Sequence, residues 1–153
     1  MTDKETFLYD KLIRRDSFDK TVIITERIVT TIHASQPVLV IDCGVNYRKL
    51  CELFGGCYII QHEHRVATEI KYGSTPFIVY DLSNIRDPIE VLNQPELIPM
   101  PYVPDGLVVV DDALQSCAKF SLLPAIVRGY AVLGARVLIS ANEERDLAQF
   151  NSY

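Results

Sequence analysis

The chain has 153 residues, of which 48% are hydrophobic and 23% charged, and its formal net charge is -5 at pH 7. This length suits one domain with one sizeable core, and the composition excludes a disordered or low-complexity protein. The acidic balance offers no electrostatic footprint for a nucleic-acid backbone, and no run approaches the roughly 20 apolar residues that a membrane helix needs. A basic patch around Lys11, Arg14, Arg15 and Lys20 is diluted by Asp10, Asp16 and Asp19. Cys43, Cys51, Cys57 and Cys117 form no CxxC pair, so they read as reduced thiols. The polar start, Met1 to Glu5, is not followed by a signal-type apolar stretch, and the expectation is a soluble, cytoplasmic protein.

The first element along the chain has two readings. Thr21-Val22-Ile23-Ile24-Thr25 is rich in β-branched residues, and propensity selects a strand there. Val22, Ile23, Arg27, Ile28, Val29 and Ile32 would instead line a helix running to about Ala34. Pro37 to Asp42 then reads as a buried parallel strand, closed by Cys43-Gly44. Leu50, Leu53 and Phe54 give Tyr47 to Phe54 a helical spacing, and Gly55-Gly56 stops that helix. Cys57 to Ile60 is a strand, and His62-Glu63-His64 after it has no third metal ligand in view and reads as a polar loop.

Thr75 to Leu82 is a further strand, again carrying an acid, Asp81, near its end. Residues 84 to 106 form a proline-rich connection with Pro88, Pro95, Pro99, Pro101 and Pro104, which leaves room for at most one short helix near Ile89 to Leu92. Leu107 to Val110 is a strand that delivers Asp111 and Asp112 at its carboxyl end. Phe120 to Leu133 reads as a helix, with Pro124 tolerated in its first turn, and Ala135 to Ser140 as the last strand. Strands alternating with helices, several of them ending in Asp, predict an α/β fold with a mainly parallel sheet and functional loops at its carboxyl edge. Asp42, Asp81, Asp111 and Asp112 would converge at that edge, either as Mg²⁺ ligands or, for Asp42 and Asp81, more simply as helix caps. Ser121, Ser140 and the cysteines have no G-x-S-x-G context and no paired histidine, so nucleophilic catalysis has no support.

Three segments in order resemble one branch of the P-loop superfamily, the hexameric DNA-translocase and conjugation motors that include the cytoplasmic ATPase of type IV secretion systems. The first is Val38 to Gly44 followed by Tyr47 to Gly56; the second is the Walker-B-like Val108 to Asp112. The third is Leu123 to Tyr130, Gly134, Val137 to Asn142 and Asp146-Leu147. The resemblance covers about half the chain, and the order of the segments is more specific than any one of them. It implies a three-layer RecA-like domain over residues 1 to 153. It also implies that Arg14 to Thr21 stands in the place of G-x-x-x-x-G-K-T, with a helix from there to the strand at Val38.

The departures concern the nucleotide. Lys20 and Thr21 match the lysine and threonine of the phosphate loop, but both glycines are missing and Asp19 brings a carboxylate to the triphosphate. Asp112 stands for the catalytic glutamate and Asn142 for the sensor glutamine, each one methylene short, while Arg128 matches the helix arginine approximately. Asp111 is the Mg²⁺ ligand if one is held. On this reading the site residues are vestigial, no cofactor is expected, and the protein is a pseudo-ATPase that binds a protein partner in a DNA-transfer, secretion or packaging machine. The rival is a divergent active NTPase in which Lys20, Thr21, Asp111 and Asp112 still hold Mg-ATP. A third reading is a DNA-repair accessory similar to recombinase paralogues that lost the phosphate loop. The motors that the chain resembles assemble as hexamers through nucleotide-dependent contacts, so an oligomer is possible here, but loss of the nucleotide removes the main reason to expect one.

Overall fold

Seven strands make one sheet in the computed structural model, which describes residues 9–63, 65–86 and 105–151. In chain order the elements are β1 (Tyr9–Ile13), α1 (Ser17–His33), β2 (Val38–Asp42), α2 (Arg48–Leu53), β3 (Cys57–Ile60), β4 (Thr68–Lys71) and β5 (Phe77–Asp81). After them come β6 (Leu107–Val110), α3 (Ala113–Lys119), α4 (Leu123–Val132), β7 (Arg136–Ala141), a 3₁₀ turn (Glu144–Leu147) and α5 (Ala148–Asn151). The strands lie in the order β1-β7-β6-β2-β5-β3-β4, and all neighbours pair in parallel except β3 with β4.

The expected parallel α/β sheet is present. All five residues of β2 and all four of β6 are buried, as their unbroken apolar runs require of strands covered on both faces. Successive residues serve opposite faces: Val38 and Val40 pack with Ile24 and Ile28 of α1 and Cys51 of α2. Leu39 and Ile41 belong instead to the cluster with Ala113 and Cys117 of α3 and Leu123 and Val127 of α4. Helices therefore cover both faces. Among the described residues no helix is long and apolar enough to cross a membrane.

The strand reading of Thr21 to Thr25 is wrong, because those residues lie inside the 17-residue helix α1. β-branched residues lose only tenths of a kcal/mol per position in a helix. Burying Ile24 and Ile28, both fully enclosed, contributes on the order of 2 kcal/mol each. The helix expected at Phe120 to Leu133 starts later, at Leu123, with Pro124 in its first turn. A separate helix, α3, precedes it, and the chain turns between them at Phe120 to Leu122. Strands β1 and β4 and the elements after β7 were not expected. Neither strand alternates: β1 sets Asp10 and Lys11 between the buried Tyr9 and Leu12, and β4 has Ile70 alone among Thr68, Glu69 and Lys71. The helix considered near Ile89 to Leu92, and the prolines of the connection, lie outside the described residues.

Two glycines meet different backbone requirements. Gly55, just after α2, turns the chain at φ 68°, where a side chain would be strained. Gly106, leading into β6, approaches β2 so closely that a Cβ would sit 2.2 Å from the Pro37 carbonyl oxygen.

Candidate functional site

Parallel register brings the carboxyl ends of four strands level. Ile41 of β2 lies opposite Val110 of β6, so Asp42 stands beside Asp111, and Asp42 is itself paired with Asp81 of β5. Val110 pairs with Ile139 of β7, whose strand ends one residue before Asn142. Across β7 lies β1, which leads into α1. The result is a cleft of about 450 Å³ whose lining includes Phe18, Lys20, Thr21, Asp42, Asp111 and Asp112.

Lys20, the fourth residue of α1, is only 6% exposed. Its Nζ donates to Asn142 Oδ1 at 2.8 Å, a contact between residues 122 positions apart. Asp111, also buried, accepts from Ser140 Oγ at 2.6 Å and from Tyr47 OH at 3.1 Å. Tyr47 is fully buried. Burial, followed by the Asp111 charge, pushes its phenol above the ordinary range, so it stays a neutral donor. Ser140 Oγ in turn accepts from the Asp112 amide at 2.8 Å. Tyr47, Asp111, Ser140 and the Asp112 backbone thus form one connected chain of hydrogen bonds.

Asp112 has a different task from Asp111. At φ 58° it sits in the left-handed region and caps α3, accepting from the Gln115 amide at 3.3 Å. Asp42 closes the loop after β2, accepting from the Gly44 and Asn46 amides at 3.2 and 3.1 Å and from Asn46 Nδ2 at 3.2 Å. Burial first, and then the Asp111 charge, push the Asp42 carboxyl up to about 6. Asp81 accepts from Tyr58 OH and the Ser83 amide, each at 2.7 Å. Burial pushes the Cys43 thiol up to about 11, which keeps it protonated and unsuited to nucleophilic attack.

The structure brings together Lys20, Thr21, Asp111, Asp112 and Asn142 from the residues singled out in the sequence. Arg128 is elsewhere. It is half-buried on α4, on the opposite face of the sheet, and lines a separate hollow with Ser121, Pro124 and Gln149. His62 bonds Thr68 Oγ1 at 2.8 Å, and His64 lies outside the described residues. Among the described residues no group of three or more His, Cys, Asp or Glu could hold a metal ion. Tyr47 and Ser140 were the residues missed. The only signal was polarity inside apolar company, such as the hydroxyl in Val137-Leu138-Ile139-Ser140-Ala141.

The residues at the start of α1 do not fit a triphosphate. Only Arg14, Arg15 and Asp16 connect β1 to α1, too short a stretch to wrap phosphates. Two of the backbone N–H groups in this stretch are taken, Arg14 N by the Ala141 carbonyl at 3.0 Å and Phe18 N by the Asp16 carboxylate at 2.9 Å. Asp19 adds a second negative charge in the first turn. Comparison of the chain with protein families, curated proteins and solved structures returns no match.

Proposed function

We propose that this protein is a non-catalytic relative of the RecA-like ATPases, in which the residues of a former nucleotide site now hold the carboxyl edge of the sheet together. It acts by binding a protein partner, as a component or regulator of a DNA-transfer, secretion or packaging machine. The machine is inferred from the sequence resemblance to the translocase and conjugation motors. Support for the RecA-like reading comes from the adjacency of β1, β7, β6 and β2, the strands that carry or lead into the matched motifs.

One observation carries the non-catalytic part. An aspartate caps the helix end where a phosphate loop would hold an anion, and the neighbouring lysine is tied to Asn142. In active P-loop enzymes that lysine reaches the β- and γ-phosphates while the threonine and the Walker-B aspartate hold Mg²⁺. Here Asp111 is bonded instead to Tyr47 and Ser140. The rival, a divergent active NTPase, draws its support from the convergence of Lys20, Thr21 and Asp111 on one cleft.

Calorimetric titration with Mg-ATP separates the two. We expect no binding heat up to millimolar nucleotide. Micromolar binding that Lys20→Ala abolishes would establish the rival instead.

A further inference from the structure

Helix α1 has more apolar surface than the sheet can cover. Ile24 and Ile28 face the core, with Lys20 and Thr31 buried on the same side. A second stripe, Phe18, Val22, Thr25 and Val29, repeats at i, i+4, i+7 and i+11, the spacing of a coiled-coil seam. It lines a shallow groove of about 430 Å³. Phe18 is 73% exposed and Val22 47%, whereas the outer face of a surface helix is ordinarily polar. The stripe spans about 16 Å of helix, three turns, which suits a partner helix presenting anchors at matching intervals.

The charges beside the seam select the partner. If Val22 and Val29 occupy a positions and Phe18 and Thr25 d positions, Asp19 and Glu26 both fall at e, where partner choice in helix pairs is set. Both are exposed. The lysine and arginine of this helix offer them no compensation, since Lys20 is buried against Asn142 and Arg27 pairs with Asp10 at 3.0 Å. Phe18 and Thr21 also border the cleft that holds Asp42, Asp111 and Asp112, so the negative character continues past the amino end of the seam. A second copy fits poorly. Antiparallel pairing would set e acids against e acids, and parallel pairing would set them against Thr21 and Ile28.

Resting on the partner-binding reading above, we propose that the outer seam of α1 docks a basic amphipathic helix of a partner protein, with lysines or arginines set against Asp19 and Glu26. The seam supplies contact area and the acids supply selectivity.

The test uses the whole chain and a displayed library of helical peptides, roughly 20 residues long, with apolar a and d positions and random e and g positions. Selected peptides should carry Lys or Arg at e or g and should lose about tenfold or more in affinity against Phe18→Ser or Val22→Asp. Both substituted positions are exposed, so the fold is preserved. Against Asp19→Lys combined with Glu26→Lys, the selection should turn to acidic peptides. Selection without charge bias at e and g would overturn the proposal, as would a dimer of the chain alone that Val22→Asp dissolves. Binders indifferent to both seam substitutions would overturn the seam but leave the partner-binding reading standing. Micromolar Mg-ATP binding would overturn that reading without touching the seam.

Discussion

Asp42 and Asp111 are two buried carboxyls at the ends of adjacent strands, and the behaviour of Asp42 with pH follows first from its burial and then from the Asp111 charge beside it. The folded protein holds the Asp42 proton up to about pH 6, above the range of an unfolded aspartate. The stabilisation linked to that proton is fully present below about pH 4 and is lost as pH rises through 6. Asp42→Asn has no such ionisation. Measured by urea denaturation, the stability of the variant relative to the parent should therefore improve between pH 4 and pH 7, by up to about 3 kcal/mol. Parallel profiles for the two proteins would refute this. Lys20, Asp111 and Asn142 were legible from the motif order. Tyr47 and Ser140 were not, because their roles arise from bonds to Asp111 across 64 and 29 residues of chain.

At the scale of the element, α1 shows why local preference misled. Its β-branched residues favour a strand one by one, while the periodic placement of Ile24, Ile28 and Ile32 favours a helix as a group. The group wins because the sheet offers a face to bury them. The start of that helix is fixed by Asp16, whose side chain accepts from the Phe18 amide. Asp16→Ala should lower unfolding free energy by about 1 kcal/mol, read as a shift of the urea midpoint without a change in slope. An unchanged midpoint would show that the cap contributes nothing. α3 escaped the sequence reading for a related reason: it is short, and its N-cap is the acid that the Walker-B resemblance had claimed for chemistry.

For the whole molecule, stability is graded across the sheet. β2 and β6 lie at the centre with every residue buried, whereas β4 is an edge strand with three of its four residues exposed. Amide hydrogen exchange should be slowest at Val40 and Val109, approaching the rate of global unfolding, and much faster at Glu69 and Lys71. Equal protection across the sheet would contradict this gradient. The amino-acid sequence alone determined the α/β class, the central strands and the acids at their ends, because continuous apolar runs and turn residues act locally. Only the tertiary structure decided that β7 lies between β1 and β6, and so that Lys20 meets Asn142 and Asp111 meets Ser140. Those contacts join residues far apart in the chain, and strand order, which no local pattern encodes, is what brings them within hydrogen-bond reach.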